Sequence, residues 1–430
     1  MSILIKNGRV ISPMENIDKI TDLYIENGVI AEMGDNLEIN AEAVIDASGM
    51  WVSPGLIDLH VHLRDPGLTH KEDMLSGLQA AAIGGFTTIC AMPNTKPAMD
   101  TAELVSETIE RIKEESVIDI LVIGAATLGQ KGEAPADIAA MTGAGICAVS
   151  EDGFSVLDSK LIKDAFKKCA EENVPMFSHC EDLALVDGGV INEGKAAEKF
   201  GLKGISNDSE EVIVARDIIL AASTGAKLHL CHMSTKGSAD IIRSAKALGA
   251  NVTAEACPHH FTLCDEDIAE NDGDYKMNPP LRSKEDMNAI INALKDNTIE
   301  IIATDHAPHH VDEKQGGFEK AANGIVGLET ALALGITELV KKNVLSPSEL
   351  IAKMTCNPAK VLGIKAGSLS KGYPADITVI DSDTEYEIKI DEFKSKGKNT
   401  PFGGKKVYGK AMYVVKNGKV VVENGELNPR

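Results

Sequence analysis

The stretch Gly55-Leu-Ile-Asp-Leu-His-Val-His-Leu-Arg64 decides how the rest of this chain is read. Leu56, Ile57, Leu59, Val61 and Leu63 predict a buried strand. His60 and His62 are two apart, so a regular strand points both to one side, with Cα atoms roughly 6.6 Å apart. That spacing lets both imidazoles reach one metal ion. An isolated pair of this kind reads equally well as two hydrogen-bonded core histidines. The positions of the other histidines therefore carry the argument.

Around this strand the chain divides into three parts. Residues 2 to about 50 hold short alternating runs broken by turns, among them Ile3-Leu-Ile-Lys-Asn-Gly8 and Asp22-Leu-Tyr-Ile-Glu-Asn-Gly28. The last part does the same, as in Ala411-Met-Tyr-Val-Val-Lys-Asn-Gly418 and Val420-Val-Val-Glu-Asn-Gly425. Asn-Gly after an apolar strand is a hairpin cue. Neither end is long enough to bury a good core alone, which predicts one composite, sandwich-like β domain built from 1–54 and 363–430.

Residues 55–362 change pattern. Eight apolar runs end near His62, Pro93, Ala126, Ser150, Ser178, Met233, Cys257 and Ala303. Helical periods fall at about 71–83, 101–115, 135–142, 159–172, 209–223, 236–248, 284–295 and 326–341. Eight successive βα units predict a (β/α)8 TIM barrel, an α/β fold. An open doubly wound sheet has no reason to stop at eight. No glycine-rich phosphate cradle follows the first strand.

Composition sets limits on partners. The 430 residues carry a net charge of -22, which argues against nucleic acid and anionic membranes. Apolar residues make up 43 % and aromatics 4 %, as suits an interior of aliphatic strands and helices. The eight cysteines form no CxxC pair and read as buried thiols of a reducing compartment. With no signal pattern at the N-terminus and no long apolar run, a cytoplasmic protein without a membrane span is expected.

Active sites of such barrels lie at the C-terminal ends of the strands. Those ends carry His60, His62 and Arg64; Asn94; Glu151 and Asp152; His179 and Glu181; His232; His259 and His260; and Asp305, His306, His309 and His310. Of the 11 histidines only His70 lies away from them. Imidazoles and carboxylates without paired thiolates suit zinc or another borderline divalent ion. His60, His62, Asp152, His179, His232 and Asp305 exceed the needs of one tetrahedral ion, so a two-metal site is expected, with a strand-4 carboxylate as bridge. Such ions lower the pKa of a bound water towards ~7 and polarise a carbonyl, which implies hydrolysis of an amide or ester, or its reverse.

His60-Val-His62-Leu-Arg64, Met92-Pro-Asn94-Thr95 and Thr304-Asp305-His306-Ala-Pro-His309 resemble the amidohydrolase superfamily. Together with Met277-Asn-Pro-Pro-Leu-Arg282 and Pro401-Phe-Gly-Gly404 they closely resemble the bacterial class I dihydroorotases, over essentially the whole chain. The resemblance implies that His60, His62 and Asp305 bind one zinc, His179 and His232 a second, and Asp152 bridges them. Many relatives use a carbamylated lysine on strand 4; this chain has none there, which tells against the hydantoinase and dihydropyrimidinase branches.

It further implies that Arg64, Asn94 and His309 grip a substrate carboxylate, with His62 alongside. Asn278 and the backbone near Asn323 and Gly324 would contact the dihydropyrimidine ring; Asn323 stands where relatives tend to carry Phe. Asp305 would be the general acid–base group. The implied reaction is the reversible cyclisation of N-carbamoyl-L-aspartate to dihydroorotate in pyrimidine synthesis. A homodimer is expected, and a complex with aspartate transcarbamoylase is a further expectation.

Two competing readings are another cyclic amidohydrolase, such as an allantoinase or hydantoinase, and a non-catalytic scaffold for the transcarbamoylase. The six expected ligands tell against the scaffold. Four finer expectations complete the reading. Asp58 shares the side of His60 and either orients a ligand or makes a plain buried hydrogen bond. His229, of opposite parity to His232, faces the outer helices. His259, His260, His306 and His310 are supporting or loop residues. The segment 309–323 is a solvated loop or a mobile lid.

Overall fold

Two sheets organise the computed structural model, which describes residues 2–428. The central sheet has eight parallel strands in sequential order: β1 (Leu56–Val61), β2 (Phe86–Ala91), β3 (Asp119–Ala125), β4 (Ala148–Ser150), β5 (Met176–Ser178), β6 (Leu228–Leu230), β7 (Val252–Ala256) and β8 (Ile301–Ile302). Ile57, Leu59, Cys90, Ile123, Ala148, Phe177, Cys231 and Ile301 fill its interior. Leu56, Ile89, Val122, Val149, Met176, Leu228, Leu230 and Ile302 pack outward against the helices. This is a nearly closed TIM barrel.

The seam between β8 and β1 is closed by polar stitches. Val61 and His306 form a parallel bridge, and His62 N–H donates to the His306 carbonyl at 2.8 Å. Asp58 Oδ1 accepts the N–H groups of Thr304 (3.1 Å) and His60 (3.0 Å). The β1–β2 ladder shifts register between Asp58 and Val61. Asp58 makes the expected buried hydrogen bonds, one of them to the backbone of His60 itself.

The barrel helices begin where their sequences offer a cap. Asp73, Thr101, Asp158, Thr235 and Ser283 each accept a first-turn amide of the helices Met74–Ile83, Ala102–Glu115, Ser159–Glu172, Lys236–Ala247 and Lys284–Lys295. The expected helix at 326–341 is a correction: residues 326–330 are not helical, and Ala331–Leu334 runs into a π-helical stretch, Gly335–Val340. Gly327 lies against Thr304, where a Cβ would come within 2.9 Å of the Thr304 Cβ, and this close approach replaces the first helical turn.

The terminal strands form one nine-stranded mixed sheet. Trp51–Pro54 lies between Ser2–Ser12 and Ile377–Glu387, so the two ends of the chain meet in its middle. Ile3, Ile5, Val10, Leu23, Ile25, Val52, Ile377, Val379 and Val415 share its core. Asn27-Gly28, Asn417-Gly418 and Asn424-Gly425 turn hairpins with both residues in the left-handed region. Asn7-Gly8 does not: it is a bulge inside Ser2–Ser12. Val52 is the reason, since a Cβ at Gly8 would stand 2.4 Å from its Cγ2. Among the described residues no helix is long and apolar enough to cross a membrane.

Glu329 ties the segment after Phe393 to the barrel, accepting N–H bonds from Lys394 (2.8 Å) and Ser395 (3.1 Å). Burial pushes its carboxyl up to about 7. The folded state therefore holds a proton that the unfolded chain releases, and stability falls as pH rises from ordinary carboxylate values to about 7. Glu329→Gln should remove that fall. Its melting temperature relative to the parent chain should rise by roughly 2 °C between pH 5 and pH 8 in thermal scans; a constant difference would contradict the assignment.

Candidate active site

Six side chains converge above the interior of the barrel. His60 leaves β1, and His62 follows that strand's last residue. Asp152 follows β4, His179 follows β5, His232 lies two residues past β6 and Asp305 lies beyond β8. All six are buried. Asp152 stands between the four imidazoles: its Oδ1 lies 3.3 Å from His60 Nε2, 3.4 Å from His179 Nδ1 and 3.3 Å from His232 Nε2, and its Oδ2 lies 3.3 Å from His62 Nε2. Asp305 Oδ1 is 3.0 Å from His62 Nε2 and 3.5 Å from His60 Nε2.

Electrostatics follow from this packing. Burial alone would raise the Asp152 carboxyl, but His60, His179 and His232 hold it well below the ordinary range. Asp305 is likewise lowered by His60 and His62 against its own burial. His179 is pushed up to about 10, because Asp152 and Glu181 outweigh burial. His62 moves down, since burial dominates there and Arg64 adds to it.

The donor set fits a metal. His60 Nε2 and His232 Nδ1 are buried without a hydrogen-bond partner. Ligand atoms of His60, His62 and Asp152, and of Asp152, His179 and His232, lie within 4.8 Å of one another. Imidazole and carboxylate donors at that spacing suit a borderline divalent cation.

Other residues hold these in place. Asn94 Oδ1 accepts from His62 Nδ1 at 2.7 Å, which turns Nε2 inward. Glu255 Oε1 does the same for His60 Nδ1 at 2.8 Å. The Gln130 amide donates to the Asp152 carbonyl at 3.2 Å, and Asn278 Nδ2 donates to Glu181 at 3.0 Å. Glu255 and Gln130 had no motif to mark them. For Glu255 one signal existed: an acid inside the apolar run Val252-Thr-Ala-Glu-Ala256.

Histidine orientations bring one more correction. His229 faces the barrel interior, not the helices: its ring packs 4.7 Å from Phe177, and its Nε2 lies 2.9 Å from Glu255 Oε2. Parity failed because β6 ends at Leu230 and His232 has a left-handed backbone, φ 41°. His306 is structural, held between Glu72 (3.2 Å) and the Gly327 amide (3.1 Å). His259 and His260 are buried, and His310 is exposed.

A cavity of about 180 Å³ opens over the cluster. Its walls include His62, Arg64, Asn94, Asn278, His309, Asn323 and Gly324, every residue expected to touch substrate. Arg64 is buried and donates to the Pro308 carbonyl at 3.3 Å, which fixes the guanidinium beside His309. His309 Nε2 donates to the Asn323 carbonyl at 2.8 Å. Burial, Arg64 and Lys71 press His309 down to about 3, so its ring is neutral. A side chain at Gly324 would strike the Ala307 carbonyl at 2.6 Å, so the backbone itself forms that wall.

The two ends of the segment 309–323, His309 and Asn323, line this cavity. Val311–Lys314 and Gly317–Lys320 are short helical turns, and Phe318 is buried. Lys314 Nζ donates to the carbonyls of Lys276 (2.9 Å), Ala322 (2.8 Å) and Gly324 (2.9 Å).

Fold and cluster together define the class: a hydrolase barrel of the amidohydrolase type with a buried metal site at its mouth. Comparison narrows it. Residues 49–238 match the family described as dihydro-orotase-like. The chain is 48 % identical over 419 residues to a dihydroorotase of Acetivibrio thermocellus, covering 97 % of this chain and 98 % of that one. It is 48 % identical over 422 residues to a dihydroorotase of Geotalea daltonii, covering 98 % and 99 %. Its fold matches the L-hydantoinase of Arthrobacter aurescens with a TM-score of 0.91 at 26 % identity, over 100 % of this chain and 97 % of that one. The chain belongs to the dihydroorotase family.

Lys314 supplies a test of what holds this segment. Lys314→Met takes the donor from the Ala322 carbonyl and one of two donors from the Lys276 and Gly324 carbonyls, so cleavage within 311–320 by limited proteolysis should be about tenfold faster, the scale of one or two net hydrogen bonds. An unchanged rate would show that other contacts hold the segment.

Proposed function

We propose that this chain is a dihydroorotase of the bacterial class I type, which cyclises N-carbamoyl-L-aspartate to (S)-dihydroorotate and water and runs the reverse hydrolysis. The observation that supports this best is the ring of four imidazoles around one buried carboxylate, beneath a cavity whose far wall holds a fixed arginine. In this reading His60, His62 and Asp305 would hold one zinc ion and His179 and His232 another, with Asp152 as the ligand they would share. The ions would supply Lewis acidity and a water of lowered pKa.

The chain's own groups do the rest. Arg64 clamps the substrate carboxylate with two parallel N–H donors. Asn94, its carbonyl already used by His62, offers its amide N–H groups to the same carboxylate. His309 reaches it by giving up the Asn323 carbonyl. Asn278 and the backbone of Asn323 and Gly324 hold the ring edge. In hydrolysis, water oxygen bonds to the ring amide carbon while the C–N bond breaks. Asp305 takes the water's proton and delivers it to the leaving nitrogen. Cyclisation reverses each step.

Asp152 stands where the hydantoinase-type reading would want a lysine, which favours dihydroorotate over hydantoin or allantoin. We further place the enzyme in the cytoplasm, as a homodimer able to associate with aspartate transcarbamoylase. The net charge of -22 argues against nucleic acid as a partner.

Cyclisation of carbamoyl aspartate before and after chelation, with zinc counted per chain, tests the whole reading. Activity lost with two zinc ions and restored with them is expected; turnover that survives complete metal removal would end it. Asp305→Asn should lower kcat at least ~100-fold, the usual scale of a lost general acid–base group. Arg64→Met should raise KM while leaving zinc content unchanged; equal turnover of hydantoin or allantoin by the parent chain would favour the other amidohydrolases.

A further inference from the structure

Glu255 sits on β7 below the cluster, fully buried, with three donors aimed at its two oxygens. Oε1 faces His60 Nδ1 at 2.8 Å and the His232 backbone N–H at 3.2 Å. Oε2 faces His229 Nε2 at 2.9 Å. On the other side of the His229 ring, Nδ1 meets the Thr253 hydroxyl at 2.9 Å. His229 and Thr253 both line a separate cavity of about 320 Å³, near the residues that precede β5 and β6. A continuous row, Thr253–His229–Glu255–His60, thus runs from the barrel floor to the cluster.

The row fixes tautomers. An ionised carboxylate only accepts, so His60 carries its proton on Nδ1 and His229 on Nε2. A neutral His60 with Nδ1–H must present a lone pair at Nε2. That nitrogen is the one buried without a hydrogen-bond partner, facing Asp152 and Asp305. His229, protonated at Nε2, accepts from Thr253 at Nδ1.

We propose that Glu255 and His229 are positioning residues that aim His60 at the cation from beneath and hold His232 in its left-handed backbone. This rests on the reading of His60 and His232 as metal ligands. The same side-chain shape with an amide would break the scheme. Gln at 255 must turn its NH2 towards His60 Nδ1–H or His229 Nε2–H. If His60 responds by moving its proton to Nε2, that proton points at the cation and the ligand is lost. A carboxylate behind a ligand imidazole also raises the basicity of the ring.

Zinc-loaded full chains of Glu255→Gln, His229→Gln, His229→Leu and His60→Ala test this, with zinc per chain, the rate of zinc loss to a chelator, kcat and KM for dihydroorotate as readouts. Glu255→Gln should weaken zinc retention roughly 10–100-fold, the usual effect of losing such a partner, and lower kcat with KM within about twofold. His229→Gln keeps an N–H donor for Glu255 and should stay within about threefold of the parent chain, while His229→Leu should fall between the two.

Parental zinc retention and kcat in Glu255→Gln, alongside zinc loss in His60→Ala, would overturn the positioning role and leave the site reading standing. Zinc kept even by His60→Ala would sink both. One zinc lost equally from Glu255→Gln and Cys231→Ser, whose side chains lie together at His60, would make Glu255 a ligand and overturn the proposal. Should Glu255→Gln not fold, the His229 pair decides: equal behaviour of Gln and Leu rejects the role.

Discussion

Asp152 and Asp305 are buried carboxylates that share His60 as a neighbour, and the mouth of the barrel is arranged around keeping them there. Unpaired, such charges in a low-dielectric pocket cost several kcal/mol each. Four imidazoles from β1, β5 and β6 supply the compensating partners, and each depends on a group behind it or on the strand that carries it. The chain as a whole is strongly acidic, yet the buried guanidinium of Arg64 lines the cavity. An anionic substrate is therefore attracted by the local field, although the average charge of the protein would repel it.

Holding these groups costs backbone strain. Arg64, His232 and Asp305 all have φ between 41° and 59°, a region that costs a side-chain-bearing residue about 1–2 kcal/mol. Gln130, whose amide holds Asp152, is the same. Elsewhere left-handed residues are mostly Asn or Gly at turns. At the mouth the strained positions turn side chains inward just where regular strands have ended, which places the ligands above the apolar interior instead of within it.

The sequence made the barrel legible because its strands are short apolar runs and its helices have strong caps and period. The six converging residues were legible because histidines and aspartates are rare in such runs and fell at their ends. What escaped had local causes. The orientation of His229 was misjudged because alternation was carried two residues past the end of β6. Asn7-Gly8 carries a hairpin signature and is a bulge, because Val52 approaches too closely for anything but glycine. Glu255 was hidden because an acid inside a barrel strand has meaning only through partners on β1 and β6.

The nine-stranded sheet has a temporal consequence. Trp51–Pro54 pairs on one side with Ser2–Ser12 and on the other with Ile377–Glu387. On the ribosome the first of these is made before the barrel and the second after it. One edge of a hydrophobic sheet must therefore wait, unpaired, through translation of the entire catalytic unit, and open edges recruit whatever strand is nearest. The tail of each molecule is thus its own sealing strip, and crowded polysomes, where neighbouring copies can lend theirs, are where this architecture is most exposed to error.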